Sequence, residues 1–419
     1  MIKSEQLVMG IDFGTSGVRI SIIDKNKKVI YVSQTEYLQG IEYCKDWEDA
    51  CKFLLYNIPK EIKRNLAACS VDGTSGTIIA CNPNGEPQGK AIPYYLTFPE
   101  LEEKFLTPKI QETCLKTNHS SLGRALKLLE ENQDYIYIRH QADWILGWLI
   151  GDWSWGEAGN NIKMGWDLER NSWPHYYNKI NLHKYLPRVV ESGQVISQLD
   201  PLLANKLELP KDILVIAGTT DSNASVLSAE PQDNEGVTIL GSTTVLKKFV
   251  EKPYFNQKLT THKVNHRWLC GESSNVGGAI LRKLFSDEDL EDLSKQINPE
   301  LNSEVSIRAL SFHDYKFPIN NSEIFLEDRP ISDCLYLHAL LEALARSEAE
   351  GWQHLFSIGI NPPKTLVTIG GGSRNPQWRR IRERTLGLSI RTAKTDAAYG
   401  VALIALSSIL NFSSKPIIK

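Results

Sequence analysis

The sequence predicts an α/β protein made of two domains that share one plan. Its 419 residues are too many for a single hydrophobic core, so two domains are expected. Residues 9–24 read as an apolar strand, a glycine-containing loop and a second apolar strand, and residues 236–250 repeat that order. Each half then closes with an apolar strand that runs through glycine into a helix, at residues 214–224 and 366–376.

The loop after the first strand has the composition of an anion-binding turn. Gly14 and Gly17 are expected to adopt positive φ and to bring backbone N–H groups close to a phosphate. Thr15 and Ser16 add hydroxyl donors, and Asp12 at the strand end is expected to hold a hydrated Mg²⁺. Taken alone, the pattern also fits an ordinary hairpin with a glycine-rich turn.

Three further loops are expected to place polar groups at strand ends. They lie at residues 218–224, at residues 241–244 (Gly-Ser-Thr-Thr) and at residues 370–376, which open with three glycines. Ligands of α/β folds bind at the carboxyl ends of strands. Two halves that both carry such loops predict a cleft between the domains.

Asp221 is the candidate general base, because it stands where a strand turns into a helix. A helix N-terminus stabilises the ionised carboxylate, which could then accept a proton from a substrate hydroxyl. The alternative is a plain N-cap aspartate, which is a common use of the residue. Residues 72–77 also follow an apolar strand, and they either offer hydroxyls to a sugar or form only a turn.

Two nucleotide-binding classes are excluded by their motifs. The chain has no Gly-x-x-x-x-Gly-Lys-Ser/Thr sequence, so it is not a P-loop enzyme. Residues 12–14 spell Asp-Phe-Gly, but they lie on the first strand, which is the wrong context for a protein kinase.

The composition limits the classes of binding partner and the cellular compartment that are expected. The 47 basic and 50 acidic residues leave a net charge of −3, which favours neither nucleic acid nor an anionic membrane as a partner. No apolar run approaches the roughly 20 residues of a spanning helix, and the first strand leaves no room for a signal peptide.

Seven scattered cysteines without a Cys-x-x-Cys pair predict a reduced compartment, the cytoplasm. His262 and His266 sit in a strand and turn, which disfavours a metal role.

Together, these segments resemble the FGGY carbohydrate kinases of the actin/Hsp70-like ATPase superfamily. The matches fall in the family's order and span nearly the whole chain: residues 9–16 resemble the first phosphate loop, 218–224 the catalytic-aspartate segment, 240–243 the second phosphate loop, 271–279 a glycine-rich segment and 370–378 the adenosine loop. Glu272 stands where that pattern has a small residue. The resemblance implies two ribonuclease-H-like domains and ATP-dependent, Mg²⁺-requiring phosphorylation of a primary hydroxyl on a small sugar.

The resemblance also implies the roles of individual residues. Asp221 would be the general base and Asp12 the metal ligand, and both would be catalytic. The sugar would contact Asp12, Thr15, Ser16, Gly17, Ser75 and Asp221. ATP would contact Gly14, Thr15, Gly241, Ser242, Thr243, Gly278, Gly371, Gly372, Asn375 and Trp378. Trp378 is equally well explained as a core residue.

The domain boundary is expected in a short hinge near residues 229–231. Residues 1–228 would form the sugar-side domain and residues 229–396 the nucleotide-side domain. The final helix, within residues 397–419, would pack back on the first domain. The sequence gives no oligomeric state.

Within the family, residues 71–77, 141–145 and 160–167 resemble the compact D-ribulose kinases of cyanobacteria and plants. D-ribulose is therefore the expected substrate and D-ribulose 5-phosphate the product. A xylulokinase, or another ketopentose or polyol kinase, is the alternative within the family. Outside it, the alternative is an ATP-dependent scaffold of the actin/Hsp70 kind, against which the polar loops around Ser75 and Asp221 argue.

Overall fold

The computed structural model describes residues 6–105, 120–132, 136–256, 259–305, 307, 310–313, 330–394 and 396–412. The chain divides into two compact units, each with one six-stranded mixed sheet. The first unit draws on residues 1–228, 262–267 and 396–419, and the second on residues 229–261 and 268–395. Both sheets carry helices, so the predicted α/β class is confirmed.

The first unit is built around a sheet whose middle strands are parallel. Its strands are β1 (Leu7–Phe13), β2 (Gly17–Ile23), β3 (Val29–Glu36), β4 (Leu66–Gly73), the ribbon strands β5 (Ile78–Cys81), β6 (Tyr137–His140), β7 (Trp155–Glu157) and β8 (Arg188–Val190), and then β9 (Val195–Gln198) and β10 (Leu214–Thr220). The sheet order is β3-β2-β1-β4-β10-β9, with β1, β4 and β10 parallel to one another. Strands β5 and β6 form an antiparallel ribbon, and β7 and β8 form a parallel one.

Ten α-helices of the first unit lie within the described residues. They are α1 (Cys44–Tyr56), α2 (Lys60–Lys63), α3 (Pro99–Phe105), α4 (Leu122–Glu131), α5 (Gln141–Ile150), α6 (Ala158–Asn161), α7 (Tyr176–Lys179), α8 (Pro201–Leu207), α9 (Asp221–Ser228) and α14 (Ala397–Phe412).

Strand β1 is buried along its whole length because helices pack on it. Met9, Ile11 and Phe13 belong to a core that also includes Trp47 of α1. Alternate residues of a strand point to opposite faces, so Gly10 and Asp12 share the other face. There α14 packs so closely that a Cβ at Gly10 would lie 1.9 Å from the Ala398 carbonyl oxygen. This packing brings the start of α14 to the face that carries Asp12.

The second unit repeats the sheet plan. Its strands are β11 (Glu235–Leu240), β12 (Thr244–Val250), β13 (Thr260–Val264), β14 (Arg267–Ser274), β15 (Thr365–Ile369) and β16 (Ser389–Thr392). Its helices are α10 (Gly278–Leu284), α11 (Asp287–Gln296), α12 (Asp333–Ser357) and α13 (Pro376–Leu386). The sheet order is β13-β14-β12-β11-β15-β16, with β11, β15 and β16 parallel.

A buried ion pair fixes α12 and α13 on this sheet. The Arg382 guanidinium donates to the Glu348 carboxylate at 2.5 and 2.8 Å and to the Thr368 hydroxyl at 2.8 Å. Thr238 of β11 also donates to Glu348, at 2.6 Å. Both charged side chains are almost completely buried, and these hydrogen bonds offset the free-energy cost of removing the two charges from water.

No helix in the described ranges has the length and apolar character needed to cross a membrane.

Candidate active site

Four aspartates of the first unit lie at one edge of its sheet, and we call them the carboxylate cluster: Asp12, Asp72, Asp221 and Asp396. Asp12 and Asp72 are direct partners across the parallel pair β1 and β4. Asp221 begins α9 immediately after β10, the next parallel strand. Parallel strands end at the same edge, which is why three of these residues, far apart in sequence, come together.

Asp72 is the most deeply buried member of the carboxylate cluster. Within the described residues, no donor group hydrogen-bonds to either of its carboxyl oxygens, and the group that faces it is the Asp12 carboxyl. Burial, and then the charge of Asp12, raise the pKa of Asp72 well above its usual value. Burial also raises the pKa of Asp12, against the opposing effect of the Arg19 guanidinium 3.7 Å away. Asp72 therefore favours the neutral form, which can donate a hydrogen bond to Asp12.

Asp221 is held with one oxygen at the start of α9. The Ser222 N–H donates to Asp221 Oδ1 at 2.7 Å. Burial raises the pKa of Asp221 to about 6, although the Ser222 N–H, the Lys163 ammonium and the Ser75 N–H all act to lower it. A carboxylate with this pKa is ionised at neutral pH and still basic enough to accept a proton.

Lys163 is a buried cation whose charge acts on Asp221, and its role is not evident from the sequence. It lies in a 3₁₀ turn, Ile162–Met164, and its Nζ donates to the Ser75 carbonyl at 2.8 Å. Burial lowers the pKa of Lys163 to about 8, while the charge of Asp221 acts to raise it. Lys163 thus connects two features: the turn that contains Ser75 and the residues around Asp221.

A buried network supports the turn that carries Lys163. The Glu157 carboxylate caps α6 by accepting from the backbone N–H groups of Gly159 and Asn160, at 2.7 and 2.9 Å. Burial raises the pKa of Glu157 to about 8. The Asn160 side chain donates to the same carboxylate at 3.0 Å and to the Thr219 carbonyl of β10 at 3.4 Å. Residues 157–163 are thereby tied to the strand that leads into Asp221.

The turn at residues 74–77 is fixed from behind by α5. The Thr74 N–H donates to Gln141 Oε1 at 2.9 Å, and the Thr74 and Thr77 hydroxyls lie 2.7 Å apart. Gly76 has φ +104°, a conformation that favours glycine. Ser75 is left half-buried at the tip, beside the carboxylate cluster.

The first loop is an antiparallel hairpin turn, and one expectation about it is wrong. The Gly14 N–H donates to the Gly17 carbonyl at 2.9 Å, but neither glycine has positive φ. Gly17 is required for a different reason, since a Cβ there would lie 2.2 Å from the Thr35 carbonyl oxygen of β3. Thr15 and Ser16 are exposed at the tip of this turn.

In the second unit, the segments expected to contact ATP meet at one end of β11 and β15. The Gly278 N–H donates to the Gly241 carbonyl at 3.0 Å, and the Ala279 N–H donates to the Ser242 carbonyl at 3.1 Å. The turn at residues 370–372 follows β15, which pairs with β11. Nothing lies within 4 Å of a Cβ placed on Gly371, so the backbone there borders open space.

Asn375 and Trp378 are both engaged inside the second unit. The Asn375 side chain caps α13, because its Oδ1 accepts from the Trp378 backbone N–H at 3.0 Å, and its Nδ2 donates to the Ser294 hydroxyl at 2.7 Å. Trp378 is 3% exposed and packs with Leu240 and Ile280 in the core. The described contacts of these two side chains are therefore structural, and their contact with adenosine stays a prediction.

No protein-family model matches the chain. A xylulose kinase from Staphylococcus xylosus is 22% identical over 441 residues, which cover 95% of this chain and 90% of that protein. A ribulokinase from Staphylococcus aureus is 24% identical over 67% of this chain, and the match spans only 58% of that relative. The fold matches that of a ligand-bound xylulose kinase from Lactobacillus acidophilus with TM-score 0.78 and 14% identity, covering 98% of this chain and 90% of that one.

The chain is therefore similar in sequence to sugar kinases over nearly its whole length, and it has the fold of solved carbohydrate kinases. These similarities support a carbohydrate kinase of the FGGY type.

Three polar residues of this kinase escaped the sequence interpretation: Asp72, Lys163 and Asp396. Asp72 and Lys163 lie in segments that resemble the D-ribulose kinases, but the residues around Asp72 indicate a turn, whereas Asp72 lies near the end of β4. Asp396 precedes the small-residue helix α14, and its proximity to Asp12 depends on how that helix packs. The one available signal was a carboxylate directly before a helix of small residues.

Proposed function

We propose that this kinase transfers the γ-phosphoryl group of ATP to the primary hydroxyl of a ketopentose, D-ribulose, and forms D-ribulose 5-phosphate. The observation that carries the proposal is the hydrogen bond from Lys163 to the Ser75 carbonyl. It joins the two segments, residues 71–77 and 160–167, on which the resemblance to D-ribulose kinases rests. This hydrogen bond lies beside Asp221, so the segments expected to bind the sugar lie around the expected general base.

Asp221 would act as general base. Its carboxylate accepts the proton of the terminal hydroxyl while that oxygen attacks the γ-phosphorus, and ADP leaves with the electrons of the broken P–O bond. A pKa of about 6 leaves this carboxylate ionised at pH 7. Lys163 and Ser75 would orient the other hydroxyls of the open-chain sugar, together with Thr15, Ser16 and Gly17.

The carboxylate cluster has the donor set of a Mg²⁺ site. Oxygen ligands suit Mg²⁺, and Asp396 Oδ1 and both oxygens of Asp72 accept no hydrogen bond from the described residues. Asp12 and Asp396 would hold the ion, largely through its waters, with Asp72 beneath them. When bound, Mg²⁺ neutralises charge on the phosphate oxygens.

The second unit would hold ATP through the loops at Gly241–Thr243, Gly278 and Gly371–Gly372. Backbone N–H groups at such loops are suitable phosphate and ribose donors. Gly14 and Thr15 of the first unit would also contact the nucleotide. The six described cysteines are free thiols, which supports a reducing compartment, the cytoplasm.

D-xylulose is the second candidate substrate. The Staphylococcus xylosus relative, a xylulose kinase, aligns with 95% of this chain. D-xylulose and D-ribulose differ at one stereocentre, so the choice depends on one or two hydrogen bonds to a hydroxyl.

An ADP-release assay over D-ribulose, L-ribulose, D-xylulose, L-xylulose, ribitol and glycerol tests the proposal. We expect kcat/KM to be highest for D-ribulose, with product phosphate on the terminal carbon by NMR. A higher value for any other member of the series overturns the D-ribulose assignment and leaves the kinase assignment intact. ATP turnover that no sugar or polyol stimulates would contradict the phosphotransferase itself.

A further inference from the structure

A cluster of metal-ligating side chains in the second unit has no part in the proposed reaction. Glu272, His313 and His354 each offer one ligand atom, and these atoms all lie within 4.8 Å of one another. His313 Nε2 is 2.8 Å from Glu272 Oε1, and His354 Nδ1 is 2.9 Å from Glu272 Oε2. In the described part of the chain, no other group of three such residues meets this criterion.

Three separate segments bring the cluster together. Glu272 lies on β14, opposite Leu246 of β12, and is 1% exposed. His354 lies on α12, one turn after Glu350, so both side chains are on the same face of that helix. Glu350 holds the segment of His313, because it accepts from the Ser311 hydroxyl at 2.7 Å and from the Phe312 N–H at 2.9 Å.

We propose that Glu272, His313 and His354 bind one divalent transition-metal ion of the Zn²⁺ class. Two imidazole nitrogens and one carboxylate oxygen are a common zinc ligand set. Ligands about 2.0–2.2 Å from a tetrahedral ion lie about 3.4 Å apart, which the present separations reach with small side-chain rotations.

The surroundings of the cluster fit a bound ion. His313 Nδ1 lies 3.4 Å from Glu350 Oε1, so Glu350 can accept the remaining imidazole proton when Nε2 binds metal. The His313 and His354 side chains are 18% and 23% exposed, which leaves a path to solvent and room for water as a fourth ligand. Glu272 is also the position at which this segment departs from the family's small residue.

The bound ion would fasten the segment of His313 to α12 and β14. Glu272 is two residues before the end of β14, and Gly277 and Gly278, which meet the loop at Gly241, follow closely. The metal site would therefore stabilise the framework behind the expected nucleotide loops without contacting the reacting groups.

The test uses the full-length, untagged protein, stripped with a chelator and titrated with Zn²⁺ and with Co²⁺. We expect one ion per chain by elemental analysis after dialysis, and visible Co²⁺ absorption of a four-coordinate site. Zinc at about 100 times its Kd should raise the melting temperature by about 5–10 °C. The variants are Glu272→Gln and His354→Gln, with His338→Gln, another buried histidine of α12, as the matched control.

Each outcome decides the proposal. Loss of stoichiometric binding in Glu272→Gln and His354→Gln, but not in His338→Gln, supports it. Glu350→Gln keeps all three ligands and should weaken binding by about 10–100-fold, which separates metal binding from misfolding. Absence of stoichiometric metal in the wild-type protein overturns it, as does binding that Glu272→Gln and His354→Gln leave unchanged while their melting temperatures stay at the wild-type value.

Discussion

Asp72 lies directly opposite Asp12 on the neighbouring parallel strand, and the two carboxyl groups face each other within the carboxylate cluster. Because Asp72 is fully buried and hydrogen-bonded to no described donor group, its ionised form is strongly disfavoured. A neutral Asp72 would carry its proton next to Asp12, the residue expected to hold the metal.

Replacing Asp72 tests this protonation state. A carboxyl whose pKa is raised in the folded protein stabilises it most below the unfolded value, near pH 4, and that contribution is lost as the pH rises through the folded pKa. Asp72→Asn, which stays neutral, should therefore gain stability relative to wild type as the pH rises above the unfolded value, near pH 4. Urea unfolding at several pH values measures the difference. Asp212→Asn, at an exposed aspartate, is the control, and a difference between Asp72→Asn and wild type that does not vary with pH would contradict a neutral Asp72.

Asp221→Asn should slow the reaction strongly while preserving the fold. The amide keeps the shape of the side chain but cannot accept the hydroxyl proton, so kcat should fall by about 10²-fold or more. Equilibrium binding of ATP and the melting temperature should stay close to the wild-type values. Steady-state kinetics of purified protein checks this, and a near-normal kcat on the preferred sugar would remove Asp221 from the role of base.

The pH profile of kcat/KM should have an acidic limb near pH 6. The limb reports Asp221, whose pKa is raised to about 6 by burial and which must be ionised to act. At pH 5 the rate should be about one tenth of that at pH 7.5.

Lys163→Met should move that limb to higher pH, because the ammonium of Lys163 acts to lower the pKa of Asp221. The matched control is Lys179→Met, a substitution in the short helix α7 of the same unit. A limb that stays in place in Lys163→Met would show that Asp221 does not control it.

Gly371→Val should weaken ATP binding without loss of stability. A Cβ at Gly371 meets nothing within 4 Å, so the new side chain enters the space expected for the nucleotide and should raise the KM for ATP by about tenfold or more. In Gly372→Ala, by contrast, the new Cβ would lie 2.5 Å from the Trp378 ring and should lower the melting temperature. Nucleotide titrations and thermal unfolding of both variants separate the two effects, and an unchanged KM for Gly371→Val would exclude this turn from the ATP site.

The strands and loops at the expected site were predictable because local patterns specify them. Residues 9–24 and 236–250 combine β-branched runs with short polar loops, and both fold as antiparallel hairpins. Helix α12, Asp333–Ser357, likewise carries apolar residues at helical spacing. In these segments the period of the apolar pattern and the turn residues are enough to predict the secondary structure.

The burial and protonation of the carboxylate cluster could not be predicted from local sequence patterns. The burial of Asp72 depends on β1 and β10, which lie about 60 and 140 residues away in sequence. The geometry of Gly17 depends on the third strand of the hairpin sheet, which is why positive φ was a wrong expectation. The Lys163 position depends on the buried Glu157 network, which local sequence does not reveal.

The close packing of Gly10 against Ala398 has a consequence for synthesis on the ribosome. Strand β1 leaves the exit tunnel long before α14, the helix that covers its inner face, because nearly 400 residues lie between them. Until α14 has been translated, the nascent first unit exposes an apolar face and lacks Asp396. Truncated chains that end before α14 should therefore need chaperones and carry an incomplete carboxylate cluster.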